Sequence, residues 1–294
     1  MKEAPNATFL FQRDFMEYHS DRFTDCSLLV FNNEKLKAVL PANRTGDEVF
    51  SHQGLTYGGL VHRSTSVSEM EDAFGAVLEF LKKEGFVLFN IKIPAPFISN
   101  PYSSALEYFL VQKGAKIMRR DLNYALDLRN EVKLHKSKRK KLAAIDTSEL
   151  QIEKTEDLSS FWNEILKPVL SEKYDSKPVH TLEEIMNLKK SFPEHILQYN
   201  VMFNGMPIAG MTLFLNGKVV KSQYGTANKL GEEYRALDWL YTKLFTEYKN
   251  LGYHYFDMGT TNTNGGKDYN KGLSKYKEEF GALPMNMDYY KLTL

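Results

Sequence analysis

The chain has 294 residues with 43% hydrophobic and 13% aromatic content, enough to fill one large or two ordinary cores, which excludes intrinsic disorder. A formal net charge of +1 excludes a generally basic, DNA-coating protein. The one cysteine, Cys26, excludes an internal disulfide and fits a reducing, cytoplasmic location.

From the N-terminus, MKEAPNATFLFQRDF carries no long apolar run, and no later segment reaches the length of a membrane span, which leaves only peripheral membrane contact open. SLLVFNNEKLKAVLPA reads as strand, turn at Asn32-Asn33, strand. SHQGLTYGGLV follows as a polar-aromatic strand end, in which His52 and Tyr57 are candidates for lining a substrate pocket. Met70, Ala73, Phe74, Val77, Leu78 and Leu81 recur at the spacing of an amphipathic helix, with Gly85 as its terminator. VLFNIKI is the next strand, and Leu106 and Phe109 mark a short helix after it.

KLHKSKRKK, from Lys133 to Lys141, is a basic run on a helix. It reads either as a solvated face or as a phosphate contact through Lys138, Arg139 and Lys141. Leu158, Phe161, Trp162, Ile165, Leu166, Val169 and Leu170 form a second stripe, with a kink expected at Pro168. Thr181 and Glu184 predict a capping box opening LEEIMNLKKSF. YNVMFNGMPIAGMTLF repeats the strand-turn-strand pattern, and Tyr224 and Arg235 occupy the equivalent edge of the second copy. The chain closes on FDMGTTNTNGGKDYNKGLSKYKEEFGA, a strand, a loop of Thr, Asn and Gly, and a lysine-containing helix.

These elements occur twice. With Tyr57-Gly58 laid over Tyr224-Gly225, the first stripe falls without gaps on Leu237, Leu240, Tyr241, Leu244, Phe245 and Tyr248. Gly85 then meets Gly252, Asn90 meets Asp257, Tyr102 meets Tyr269 and Leu110 meets Lys277. The expected organisation is α/β (α+β): two tandem modules over 1–145 and 146–294, each a mixed, mostly antiparallel sheet flanked by helices.

Hairpin, helix, strand, helix and strand, twice over, resembles the Fem-like family of tandem GNAT-fold acyltransferases. SHQGLTYGGLV, YALDLRNEVKLHKSKRKKLA, KPVHTLEEIMNLKKSFPEHI and the closing stretch carry the resemblance. It implies transfer of an activated acyl or aminoacyl group to an amine of an amino sugar, a peptide or a cell-envelope or polysaccharide precursor. The donor is then aminoacyl-tRNA or acyl-CoA, with no tightly bound cofactor, and tRNA is a partner in the first case. The long helical-hairpin insertion of larger Fem proteins has no counterpart. The pyrophosphate loop Q/R-x-x-G-x-G/A of ordinary GNAT enzymes is matched by neither GLTYGGLVHRSTSVSE nor GTANKLGEEYRA. A CoA-dependent N-acetyltransferase and a non-catalytic glycan- or peptide-binding protein are the alternatives.

Within this reading Lys277 is the first catalytic candidate. It shares the apolar face of its helix with Leu273, Tyr276 and Phe280, where it reads either as a lysine snorkelling to water or, as the resemblance implies, as a cation stabilising charge on the acyl carbonyl or on a phosphate. Asp257, at a strand end, is either a proton acceptor or a cap of the following loop. Asn262 and Asn264 read as ligands for sugar or peptide amides or as loop formers. Arg235, near a helix start, is a clamp for phosphate or carboxylate. No metal-ligand spacing occurs, so no metal site is expected.

Overall fold

The computed structural model describes residues 4–99 and 104–294; Tyr102 lies outside them. In chain order the strands of the first half are β1 (Thr24–Asp25), β2 (Leu28–Asn32), β3 (Lys35–Leu40), β4 (Asn43–Thr45), β5 (Glu48–Phe50), β6 (Val61–His62), β7 (Leu88–Lys92) and β8 (Lys116–Asp127). Helices α1 (Arg13–Met16), α2 (Val67–Lys83), α3 (Pro96–Ser99) and α4 (Ser104–Gln112) punctuate them. The second half opens with α5 (Lys136–Ala143), β9 (Leu150–Thr155), a π-helical segment over Phe161–Leu166, α6 (Lys167–Tyr174) and α7 (Leu182–Ser191). Then come β10 (Ile196–Phe203), β11 (Met206–Asn216), β12 (Val219–Ala227), α8 (Lys229–Glu233), α9 (Ala236–Asn250), β13 (Tyr255–Thr260), the short β14 (Asn262–Thr263) and β15 (Asp268–Tyr269), α10 (Lys271–Glu278) and β16 (Leu283–Thr293).

By contacts the chain divides into two units. One runs to Asn123 and includes Asn262–Tyr269 and Met285–Leu294; the other holds Tyr124–Thr261 and Asn270–Pro284. The sequence limits of 145 and 146 mark the repeat, whereas the contacts follow the sheets. In the first unit β1, β4 and β5 pair antiparallel, β5 pairs parallel with β7, and β7 takes its other neighbour, antiparallel, from Tyr289–Thr293 of β16. The first unit therefore receives its last strand from the far end of the chain, which a repeat read in sequence order cannot show. In the second unit β9 to β12 pair antiparallel in succession and β12 pairs parallel with β13.

The repeat is structural. The ungapped offset that lays α2 over α9 also lays β7 on β13, α4 on α10 and β8 on β16. Both hairpins carry a bulge at the same step, between Val30 and Phe31 and between Val201 and Met202. Their two-residue turns, Asn33-Glu34 and Asn204-Gly205, have positive φ at both positions, as the right-handed strand twist requires. The first turn thus lies one residue beyond the expected Asn32-Asn33.

Local chemistry explains the helices. Ser66 accepts the Glu69 N–H at the start of α2, all six residues of its stripe are buried, and Gly85 follows at φ 80°. Thr181 and Glu184 complete the capping box of α7. The irregularity expected at Pro168 begins earlier, as the π-helical turn of Phe161–Leu166. Proline has no N–H to continue the α-helical ladder, and the widened turn still keeps Phe161, Trp162, Ile165 and Leu166 buried. Gly210 on β11 makes room for Phe161: a Cβ there would lie 2.4 Å from its ring.

Candidate active site

Parallel pairing of β12 with β13 runs through Val219↔Tyr255, Val220↔Phe256 and Lys221↔Asp257, and both strands continue beyond that step. On its other side β12 breaks register with β11 between Ser222 and Tyr224, and a bulge of this kind bends a strand and re-aims its side chains. The last paired step carries a lysine opposite an aspartate, both buried. Lys221 Nζ donates to Asp257 Oδ2 at 3.2 Å, and Asp257 Oδ1 accepts the Gly259 N–H at 2.7 Å. Gly259 sits at φ 77°, a conformation glycine adopts without penalty.

Lys277 reaches the same peptide from α10. Asn270 caps this helix by accepting the Leu273 N–H; its own N–H donates to the Thr261 carbonyl at 2.8 Å and Ser274 donates to the Thr261 hydroxyl at 3.0 Å, so two contacts tie the first turn to the residue after β13. Lys277 is 5% exposed. Its Nζ donates to the carbonyls of Gly259 at 2.8 Å and Thr260 at 2.9 Å, and stands 5.8 Å from the centre of the Tyr124 ring. Burial pushes the amine down to about 7; Asp257 opposes that shift and Lys221 adds to it. A buried lysine poised near neutrality at a strand end has the properties of a catalytic group.

The other expected residues are placed as follows. Asp257 is 1% exposed with both carboxylate oxygens engaged; the geometry gives it a holding role rather than that of a proton acceptor. Tyr224, further along β12, packs edge-on against Trp162 at 5.0 Å and accepts the His180 N–H, with its hydroxyl 2.6 Å from His180 Nδ1. Burial pushes that phenol up to about 12. Arg235 adopts φ 48° at the start of α9 and pairs with Asp238 at 3.5 Å.

Lys138 departs from expectation. It is 2% exposed, pairs with Asp238 at 3.1 Å and Glu279 at 3.7 Å, and lies over the rings of Tyr276 and Phe280. A cation already neutralised inside the protein cannot serve a phosphate. Arg139 and Lys141 remain exposed on α5.

His52 and Tyr57 belong to the first unit. His52, at φ 63°, stacks on His19 with ring centres 5.0 Å apart, and burial pushes it down to about 4. Tyr57 is 1% exposed and packs edge-on against Phe11. Asn262 ties its loop to β8, and Asn264 acts within the loop. Asn262 accepts the Leu122 N–H at 2.7 Å, and Asn264 donates to Asp268 at 2.6 Å.

Sequence reasoning missed Lys221, Gly259 and Tyr124. The signal for Lys221 was present but shifted. The parallel pair Phe50↔Asn90 of the first unit corresponds to Lys221↔Asp257. The first copy has the longer stretch between that pair and its Tyr-Gly, so the ungapped comparison lays Gly54 on Lys221 instead. Aligned by strand pairing, Phe50, Asn90 and Leu110 stand where Lys221, Asp257 and Lys277 form the site. Among the described residues no group of His, Cys, Asp and Glu could hold a metal ion, and no helix is long and apolar enough to cross a membrane.

No protein-family model and no curated protein matches this sequence. Solved structures do match in fold. FemX superposes with a TM-score of 0.74 at 12% identity, over 100% of this chain and 94% of its own. The C-terminal domain of a putative lysylphosphatidylglycerol synthetase from Agrobacterium fabrum superposes at 0.61 with 14% identity, over 90% of this chain and 83% of that one. A tandem GNAT protein from the clavulanic acid biosynthesis pathway does so at 0.53 with 9% identity, over 93% and 86%. The fold of this chain is thus that of FemX and its tandem GNAT neighbours, two GNAT-like modules in succession.

Proposed function

We propose that this chain is an acyl- or aminoacyltransferase that moves an activated acyl group onto an amine of an amino sugar, a peptide or a cell-envelope or polysaccharide precursor. The observation that carries this reading is Lys277, a buried amine fixed on two carbonyls at the point where β12 and β13 leave their pairing. Two of its N–H bonds are committed to those carbonyls. In the ammonium form the third is left for the carbonyl oxygen of a bound acyl donor. As the acceptor amine attacks, negative charge grows on that oxygen, and the Lys277 ammonium, held in place by the two carbonyls, stabilises it. The tetrahedral intermediate then collapses, the bond to the donor's leaving group breaks, the proton shed by the attacking amine passes to that leaving group, and the new amide remains. The scheme needs no covalent enzyme intermediate.

The first turn of α9 bears on the donor. In the ordinary GNAT pattern a pyrophosphate meets backbone N–H groups at a helix start. Here that turn carries the buried carboxylate of Asp238, held by Lys138 and Arg235. An internal anion already occupying this place favours a donor other than acyl-CoA, and aminoacyl-tRNA is the donor we infer. The lysyl product in the printed name of the Agrobacterium fabrum neighbour is in keeping with an aminoacyl group.

The test is direct. Purified protein offered aminoacyl-tRNA and acyl-CoA donors against a panel of amino sugars and peptide amines should transfer from the former. Lys277→Met should slow that transfer by about 100-fold or more, the loss seen when a single oxyanion donor is removed. Transfer from acyl-CoA alone would overturn the donor assignment. Tight acceptor binding with no transfer from any donor would replace the enzyme reading by that of a precursor-binding protein.

A further inference from the structure

The Gly259 peptide is held from three sides. Its N–H is fixed by Asp257 and its carbonyl by Lys277. Its Cα lies between two cations: a Cβ built there would stand 3.8 Å from Lys221 Nζ and 4.0 Å from Lys277 Nζ. Three charged side chains from β12, β13 and α10 thus converge on one glycine, and all three are buried. Charges are not removed from water in this way without compensation. Asp257 compensates Lys221 directly, at 3.2 Å, while Lys277 has only carbonyl dipoles as its hydrogen-bond acceptors.

We propose that Lys221 is the positioning residue of this site: by clamping Asp257 it fixes the Gly259–Thr260 backbone, and that backbone aims the one Lys277 Nζ valence not committed to a carbonyl. The inference rests on the acyltransferase reading for its consequence, but not for its geometry. Without Lys221, Asp257 would keep its Gly259 N–H bond but lose its cationic partner, and the Lys277 amine would face that carboxylate without the Lys221 charge beside it. Lys221 also acts through its charge, since a fixed cation nearby disfavours a second one. The groups facing Lys277 are Asp257 from β13, Lys221 from β12 and, from β8, Tyr124, whose hydroxyl donates to Glu278 at 3.0 Å. Of these Lys221 is the cation, and its removal leaves Asp257 as the charged group among them.

Competitive labelling of the full chain with trace acetic anhydride, read at the Lys277 peptide by mass spectrometry, reports the protonation midpoint of this amine without substrate or turnover. Wild type should titrate at about 7. Lys221→Met should raise the midpoint, and Lys221→Arg, which keeps the cation, should restore it. A midpoint unchanged or lowered in Lys221→Met overturns the proposal. Should that variant not fold, Asp257→Asn and the double variant Lys221→Met/Asp257→Asn supply the comparison. The single change should lower the midpoint and the double should bring it back up, and a double no higher than the single overturns the proposal equally. These shifts hold even if every transfer assay fails. Transfer observed with a midpoint indifferent to Lys221 would sink the positioning role alone.

Discussion

Replacing Lys277 with methionine tests the buried amine through stability, independently of any substrate. In the folded chain the amine titrates at about 7, whereas an unfolded lysine does so near about 10.4. Between these values the unfolded chain binds a proton that the folded chain does not. Folding stability therefore rises with pH across this window, and the penalty of the buried charge is complete below it. One proton corresponds to about 1.4 kcal/mol per pH unit, so wild type should gain about 2–3 kcal/mol between about pH 7 and pH 9 that Lys277→Met does not.

The substitution has a second, pH-independent effect. It leaves the Gly259 and Thr260 carbonyls without their donor, at about 1–3 kcal/mol each if no water replaces it. Which protein is more stable at a single pH is therefore uninformative. The slope of the difference is what carries the information. Urea denaturation of both proteins from about pH 6 to about pH 9 measures it, because groups titrating elsewhere cancel. A difference that stays flat across that range would refute a depressed lysine, and with it the argument that Lys277 is held ready to change its charge near neutrality.

Two further substitutions separate holding from binding. His52, pushed down to about 4 by burial beside His19, stays neutral in the fold while an unfolded histidine protonates near about 6.5. Stability should fall by about 3 kcal/mol as pH drops through that window, and His52→Asn, which tolerates the positive φ, should lose that dependence in acid urea titrations. Lys138→Met should cost stability, by less than the about 3–5 kcal/mol of a fully uncompensated buried charge because Arg235 still pairs with Asp238, whereas Arg139→Ala with Lys141→Ala should change stability by under about 0.5 kcal/mol each. If α5 contacts tRNA, filter binding at graded salt will place the loss of affinity on the exposed pair.

The sequence carried the fold further than the site because the two depend on different kinds of pattern. Stripes such as Met70 to Leu81, the Thr181–Glu184 box and the ungapped register of the two copies are local periodicities, and they predicted the helices, the strands and their order. That Tyr289–Thr293 completes the first sheet is a pairing between distant residues, which periodicity does not encode. Lys277 was legible because a charge on an apolar helix face is a local anomaly. The environments of Asp257 and Lys138 were not: each looks like an ordinary polar residue until a partner far along the chain, Lys221 or Asp238, is brought against it.

The repeat itself argues that the charged cluster is not there for folding. In the first unit the same parallel step is Phe50↔Asn90, and the helix position of Lys277 is Leu110, fully buried among Leu106, Phe109, Phe89 and Ile91. That unit builds the same β-α-β-α succession with one phenylalanine, one asparagine and one leucine. A buried leucine there contributes about 1.5–3 kcal/mol, whereas a buried ammonium is destabilising unless its partners compensate. The scaffold therefore does not require charge at any of the three positions, and stability alone would favour the uncharged set. The second copy keeps two lysines and an aspartate where the first shows they can be dispensed with. They sit there against a folding cost, in keeping with the chemistry proposed for the end of β13.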